Sequence, residues 1–232
     1  MCDHRRKTST YQLKIFDFDE NQIYNITINQ EILMILHSLF PTPVACFSLD
    51  DSLTQKESDF INQQEVCVNQ SNTVSVDTYL LQHEELSRIR NFCQTSAEKY
   101  FQEIYAPKYD IQLHITQSWS NYTSKGQWHH KHAHPNSIIS GVFYVQAQQD
   151  VDRIYFYQEK YHQIKIFTEN WNTYNSESWW IDAVAGQLLI FPSSLAHMVQ
   201  PVETDETRIS ISFNTFLTGN LGSEKELNSL HL

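Results

Sequence analysis

Between residues 111 and 216 the sequence is a succession of short segments rich in β-branched and aromatic residues, and this feature restricts the fold more than any other. In the first segment, Ile111, Leu113 and Ile115 alternate with polar side chains, as in a strand that buries one face. About seven or eight such segments follow one another at turn-like spacing. This pattern predicts a β-sandwich or barrel, and we expect a jelly roll.

The first half of the chain has helical patterns instead. Apolar residues at helical spacing predict a helix over 29–40 and a long amphipathic helix over 77–106 that ends before Pro107. A Ser/Thr-rich acidic segment opens another predicted helix over 54–63. The apolar stripe of the long helix needs a surface to cover, so we expect the helix to pack on one sheet of the barrel.

The predicted fold is therefore α+β and mainly β, with helices that precede the barrel and pack against it. We expect one compact domain in three parts: an N-terminal extension with supporting helices at 1–110, a barrel at 111–218 and a C-terminal tail at 219–232.

Four of the eleven histidines lie close together in the segment 126–137, at His129, His130, His132 and His134. Residues two apart in an extended segment point to the same face, so an HxH pair is suited to chelating a transition metal. His197 begins a later strand candidate and supplies a distant third imidazole. We expect a metal held by His132, His134 and His197, with His130 as the substitute if the register shifts. A solvated histidine loop is the alternative.

Arg208, Ser210, Ser212 and Asn214 share one face of the last strand candidate, while Ile209, Ile211 and Phe213 share the other. This alternation turns an arginine into the barrel, where a buried guanidinium needs an anionic partner. An arginine with a serine two residues later suits a carboxylate. The alternatives are an internal Asp or Glu as the partner, or an outward register in which the arginine is solvated.

These motifs together resemble the HxD/E…H…RxS pattern of 2-oxoglutarate/Fe(II) oxygenases, which have a cupin-like double-stranded β-helix fold. The likeness is greatest to a branch found in bacteria and marine phages, and it covers about residues 40–218. The matching motifs are Trp119-x-Asn121, Gly126, His132-x-His134-Pro135, Ser140-Gly141-Val142-Phe143-Tyr144, Phe191-Pro192-Ser193, His197 and the run from Arg208 to Asn214.

The resemblance implies Fe(II) as the metal and 2-oxoglutarate as the cosubstrate, with no catalytic residue beyond the metal centre. It implies cosubstrate contacts from Arg208, Ser210, Asn121 and Asn214, and hydroxylation of a substrate with release of succinate and CO2. One position departs from the superfamily, since His134 replaces the usual carboxylate ligand and makes a three-histidine site.

Two alternatives to this function remain open from the sequence. Gly126-x5-His132-x-His134, followed by Gly186-x5-Pro192 and His197, also resembles cupin motifs, which would indicate a three-histidine dioxygenase that does not use 2-oxoglutarate. The third class is a non-enzymatic jelly roll, which either binds sugar through the aromatic segment 155–180 or acts as a viral structural subunit.

A formal charge of −11 argues against nucleic acid or anionic lipid as a partner. The four cysteines show no CxxC spacing, no signal-like apolar segment follows the N-terminus, and no 18-residue apolar run exists. We expect a cytoplasmic protein of a bacterium or a phage-infected cell, with dioxygen and a small-molecule or peptide substrate as partners. The sequence is compatible with a homodimer and does not identify the substrate.

Overall fold

This computed structural model of the protein describes residues 6–17, 22–33, 35–158, 164 and 166–232, with side chains from residue 35 onward. The chain divides into two compact units, Met1–Thr42 and Pro43–Leu232, where the sequence predicts one compact domain.

The first unit contains a two-stranded antiparallel ribbon. Its strands, β1 (Arg6–Asp17) and β2 (Gln22–Leu33), pair in continuous register from Arg6 opposite Leu33 to Asp17 opposite Gln22. The predicted helix over 29–40 is therefore wrong, because residues 29–33 belong to β2 and residues 35–40 have no regular structure. The sequence of β2 is rich in isoleucine and threonine, which favour strands.

The second unit combines two helices with most of the strands. The helices are α1 (Gln55–Asn62) and α2 (Ser87–Tyr105). The strands are β3 (Ala45–Ser48), β4 (Val66–Val68), β5 (Thr73–Ser75), β6 (Ile111–Thr123), β7 (His129–His132), β8 (Ile139–Gln146), β9 (Arg153–Tyr157), β10 (Ser178–Asp182), β11 (Gln187–Pro192), β12 (His197–Val199), β13 (Arg208–Leu221) and β14 (Leu230–His231).

Both helices of this unit lie where the sequence predicts helices, with one difference at the start of α2. Thr54 and Glu57 form a reciprocal capping box that fixes the first turn of α1. α2 begins at Ser87 rather than at residue 77, and single 3-10 turns at Leu80–Gln82 and Glu84–Leu86 precede it. The Asp77 carboxylate accepts a hydrogen bond from the Tyr79 N–H at 2.7 Å, which stabilises a local turn in place of a helix.

The strands from β6 to β13 cross repeatedly between two sheets. One sheet has the order β10-β9-β12-β7, and the larger sheet has the order β3-β11-β8-β13-β6-β5-β4 with β14 paired to β13. All the pairings between these strands are antiparallel. The predicted double-stranded β-helix barrel is thus confirmed, and the larger sheet also includes three strands that precede residue 111.

Two apolar cores lie on opposite faces of the larger sheet. One core packs the stripe of α2, including Ile89, Cys93 and Ala97, against Phe143 and Phe213. The other fills the barrel and includes Val142, Tyr144, Ile154 and Phe191. The alternation of Val142, Phe143 and Tyr144 along β8 places Phe143 under the helix and its two neighbours inside the barrel.

The C-terminal segment is more regular than expected. Strand β13 continues past the predicted boundary at 218 to Leu221, and β14 returns to pair with it. Among the described residues, no helix is long and apolar enough to cross a membrane.

Candidate metal centre

The three imidazoles predicted to bind metal meet at the four-stranded sheet. His132 ends β7 and His197 begins β12, and the two residues lie opposite each other with ring centroids 4.4 Å apart. His134 follows β7, where its backbone N–H donates to the carbonyl of Ser193, and its ring lies 4.9 Å from that of His132. One nitrogen of each imidazole lies within 4.8 Å of the other two. The side chains can therefore converge on one ion.

Backbone carbonyls orient two of these rings. The Nδ1 of His132 lies 2.7 Å from the carbonyl oxygen of His130, and the Nδ1 of His197 lies 2.9 Å from that of Leu195. A carbonyl only accepts hydrogen bonds, so each Nδ1 carries the proton and each Nε2 keeps its lone pair free. This arrangement of a protonated nitrogen against the backbone is common to metal-ligating histidines.

The protonation of the cluster also suits a metal. Burial, reinforced by the neighbouring imidazoles, lowers the pKa of His197 to about 3, although the carbonyl of Leu195 opposes the shift. Burial and then His132 lower the pKa of His134 to about 4, and burial likewise lowers the pKa of His132. Neutral imidazole is the ligand form, so these side chains are ready to bind metal at neutral pH.

A cavity inside the barrel joins the three imidazoles to Arg208. Its lining consists of Asn121, Thr123, His129, His132, His134, Val142, Tyr144, Ile154, His197, Val199, Arg208, Ser210 and Ser212. Arg208 is only 5% exposed, and its Nη1 lies 3.5 Å from Oδ1 of the equally buried Asp152. That separation is long for a hydrogen bond between charged groups. Burial lowers the pKa of Arg208, but a guanidinium stays charged at neutral pH.

Asn121 and Ser210 lie in the same cavity as predicted, opposite each other on β6 and β13. The Nδ2 of Asn121 donates to the hydroxyl of Ser212 at 3.0 Å. Its Oδ1 is buried and has no hydrogen-bond partner among the described residues. A buried polar atom without a partner indicates a place for a ligand group.

Two residues named from the sequence are not among those that line the cavity. Asn214 accepts a hydrogen bond from the hydroxyl of Ser140 at 2.9 Å, and the regular pairing of β13 with β6 is interrupted just after it. Asn214 keeps the register of Ser210 and Ser212 and so shares their face of β13, but it lies one pair further along the strand than the cavity lining. His130, the substitute ligand, lies outside the lining as well.

His129 lines the cavity although its spacing from His132 places it on the other face of a regular strand. His132 pairs with His197 and His129 with Val199, so four residues of β7 oppose three of β12. This β-bulge rotates His129 to the side of His132, and the two rings stack with centroids 4.6 Å apart. The HxxH spacing alone gives no signal of the bulge.

Tyr144 is a second lining residue that the sequence analysis did not select. Its side chain is 2% exposed, and burial raises the pKa of its hydroxyl above the ordinary range, so the group is a hydrogen-bond donor. The alternation along β8 could have identified it, because Tyr144 follows Val142 on the face turned into the barrel.

Comparison with protein families finds a match over residues 117–214 to the family described as "Putative 2OG-Fe(II) oxygenase". The matched segment runs from β6 through β13 and contains every residue of the candidate centre. The resemblance predicted from the sequence is confirmed, whereas the branch found in bacteria and phages stays a prediction. No curated protein sequence matches significantly.

Solved structures of low sequence identity share the fold. The epimerase SnoN in complex with Fe3+, alpha ketoglutarate and nogalamycin RO is 12% identical, with a TM-score of 0.54 over 76% of this chain and 81% of its own. HygX from Streptomyces hygroscopicus with nickel, 2-oxoglutarate and hygromycin B is 9% identical, with a TM-score of 0.52 over 75% of this chain and 82% of its own. The carbocyclase SnoK from nogalamycin biosynthesis is 11% identical, with a TM-score of 0.52 over 75% of this chain and 79% of its own.

Proposed function

We propose that this chain is a 2-oxoglutarate/Fe(II)-dependent oxygenase that hydroxylates its substrate and releases succinate and CO2. The observation that carries the proposal is one cavity, inside the segment that matches the oxygenase family, with three convergent imidazoles and a buried arginine. When bound, the ferrous ion and 2-oxoglutarate supply the activation of dioxygen that a protein side chain cannot perform. The cupin-type and non-enzymatic alternatives are not favoured by the family match.

His132, His134 and His197 are the proposed metal ligands. Three ligands on one side leave coordination positions open for a cosubstrate and dioxygen, as in the facial arrangement of non-heme iron oxygenases. All three are neutral, so the protein places no carboxylate charge on the ion. A bound 2-oxoglutarate dianion would contribute the negative charge that this ligand set lacks.

Arg208 is the proposed anchor for the distal carboxylate of 2-oxoglutarate. Its guanidinium is buried in the cavity, and the long contact to Asp152 leaves it under-paired. A carboxylate that arrives with good geometry forms shorter charge-assisted bonds than the one to Asp152. The hydroxyls of Ser210 and Tyr144 line the same cavity and supply further donors.

Asn121 is proposed to bind the cosubstrate through its amide. As placed, its Nδ2 donates to Ser212 and its Oδ1 is unpaired among the described residues. Rotation of the amide by half a turn lets the Ser212 hydroxyl donate to Oδ1 and frees Nδ2 to donate to a cosubstrate oxygen. Asn214 bonds to Ser140 instead, so we assign it a structural role.

The partners are proposed to be dioxygen and a small-molecule or peptide substrate. The structures of HygX and SnoN contain the small molecules hygromycin B and nogalamycin RO, which supports a small-molecule substrate here. The cytoplasmic location and the homodimer stay predictions.

The direct test is anaerobic titration of the Fe(II)-loaded protein with 2-oxoglutarate, followed by the visible charge-transfer band that keto-acid chelation of ferrous iron produces. We expect a saturable band that His197→Ala abolishes. Arg208→Ala removes one charged contact of about 1.5–3 kcal/mol, so the Kd for 2-oxoglutarate rises roughly 10- to 150-fold while iron stays bound. Arg153→Ala is the matched control, because Arg153 pairs with Asp182 and lies outside the metal cavity.

A different result would separate the alternatives. Bound iron without the band would contradict the use of 2-oxoglutarate and support the three-histidine dioxygenase. No bound iron after reconstitution would contradict an oxygenase of either kind.

A further inference from the structure

A second set of three imidazoles lies beside the proposed iron ligands. His129, His130 and His132 each offer a nitrogen within 4.8 Å of the other two. Their ring centroids are 4.6 Å apart for His129 and His132, 4.8 Å for His130 and His132, and 5.2 Å for His129 and His130. Adjacent residues of a regular strand point to opposite faces, so this cluster depends on the bulge of β7.

The side chain of His130 indicates that a binding partner is missing from this cluster. Its Nδ1 is buried and has no hydrogen-bond partner among the described residues. An unsatisfied buried polar atom is unfavourable, and an ion would satisfy it together with His129. Lys131, which lies between His130 and His132 on β7, does not occupy the position of the ion, because its ammonium lies 4.4 Å from the ring centroid of Tyr157.

We propose that His129, His130 and His132 form a second divalent-cation position, which competes with the iron position for His132. The competition follows from the protonation of His132. Its Nδ1 donates to the carbonyl of His130, so the ring has a single free nitrogen to give. Two ions cannot both complete a set of three imidazoles around that nitrogen.

The ligand chemistry indicates which ions occupy the second position. Three imidazoles without a carboxylate suit zinc, nickel and copper, which bind nitrogen sites more tightly than ferrous iron does. Zinc is therefore expected to take either set, and its occupation of the second position excludes iron by withdrawing His132. This inference does not depend on the use of 2-oxoglutarate.

The test measures zinc binding by the metal-free protein in competition with a chromophoric chelator. Four proteins are compared: wild type, His134→Ala with His197→Ala, His129→Ala with His130→Ala, and the variant with all four changes. We expect one equivalent of zinc in each of the first three proteins and none in the fourth. His132→Ala weakens both positions and should also lose tight binding. His114→Ala is the matched control, since its exposed ring bonds to Thr218 on the larger sheet, whereas the cluster lies on the four-stranded sheet.

Circular dichroism shows whether each variant is folded, and the pair His134→Gln and His197→Gln replaces the alanine pair if that one is not. Zinc binding lost from the folded His134/His197 variant would overturn the second position. Two equivalents in the wild type would overturn the sharing of His132. Neither result bears on the charge-transfer band, so this inference and the proposed function can fail separately.

Discussion

Arg208 and Asp152 form a buried pair of opposite charges that is not tightly bonded. Their side chains are 5% and 6% exposed, and the closest contact is 3.5 Å. The other oxygen of Asp152 accepts from the backbone N–H of Gln148 at 2.8 Å, which holds the carboxylate in place. Asp152 therefore neutralises the guanidinium and competes with an incoming carboxylate for it.

Asp152→Asn is expected to tighten 2-oxoglutarate binding and to destabilise the ligand-free protein. The change removes the competing anion, and a charge-assisted bond of about 1.5 kcal/mol corresponds to roughly a 10-fold lower Kd. It also leaves Arg208 buried without a counter-charge, which lowers the melting temperature until 2-oxoglutarate binds. Anaerobic calorimetry and thermal denaturation measure the two effects. Asp150→Asn, on the adjacent exposed turn, is the control, and weaker binding in Asp152→Asn would contradict the competition.

The metal-free protein is expected to lose stability in mild acid. Burial holds the pKa of His197 at about 3 and that of His134 at about 4. In the unfolded chain the same rings titrate near pH 6.5. Protons therefore favour the unfolded chain, so this stability is complete above about pH 7 and is lost as pH falls from about 6.5 towards 4.

The measurement is the melting temperature of the chelator-treated protein between pH 7.5 and pH 4.5 at constant ionic strength. Each buried imidazole lowers the free energy of unfolding by at most about 1.4 kcal/mol for each unit by which the pH falls. His197→Asn should reduce the decrease in melting temperature with falling pH, whereas His114→Ala should leave this decrease unchanged. Equal slopes in wild type and His197→Asn would show that the imidazole does not carry the effect.

The sequence pattern located several of the residues that line this cavity, but it did not predict the full set. His132, His134, His197 and Arg208 follow from two-residue periods and from a distant strand partner, both visible in the sequence. His129 was missed because the bulge of β7 changes the face that it takes, whereas Asn214 keeps the predicted face of β13 but lies beyond the cavity lining, and its contact with the cosubstrate stays a prediction. Asp152 could not be selected either, since its contact with Arg208 joins residues 56 positions apart.

Strand β8 shows how one glycine fixes the distance between an element and its neighbour. Gly141 lies opposite Phe213 on β13, and a Cβ on Gly141 would overlap the ring of Phe213. Phe213 is fully buried in the core beneath α2 and has little room to move. The backbone of β8 can approach β13 here only because the side chain is absent.

Gly141→Ala is therefore expected to lower the free energy of unfolding by about 1–3 kcal/mol, the usual cost of overpacking a core. Urea denaturation followed by circular dichroism measures the loss. Phe213→Leu in the Gly141→Ala background removes the ring and should recover part of it. A Gly141→Ala protein as stable as the wild type would mean that the two strands separate freely.

Helices and strands were predictable to different degrees. The stripe of α2 and the capping box of α1 are local patterns, and both helices formed where expected. The helix predicted over 29–40 failed because the residues of β2 pair with a segment that precedes them, β1. Pairing between distant segments can override helical spacing, and a local pattern contains no information about the partner strand.

At the scale of the molecule, the candidate centre belongs to a single unit. Among the described residues, those of both apolar cores lie between Val44 and Leu217, and those that line the cavity lie between Asn121 and Ser212. The unit Pro43–Leu232 thus contains its own cores as well as the described residues that line the cavity. The sequence gives no sign of this division, because the one clear period before residue 43, over 29–40, predicts a helix.

Removal of residues 1–42 is expected to leave a folded protein that still binds ferrous iron. Its Kd for 2-oxoglutarate should stay within about 2-fold of that of the full chain, which corresponds to a change in binding free energy of roughly 0.4 kcal/mol. A two-stranded ribbon has little stability of its own, so its loss should not remove a core. Anaerobic titration of both proteins measures the affinities, and thermal denaturation should show one cooperative transition in the shorter protein. If the shorter protein folds but loses 2-oxoglutarate binding, residues 1–42 contribute to the site; if it does not fold, the cores of the second unit are insufficient.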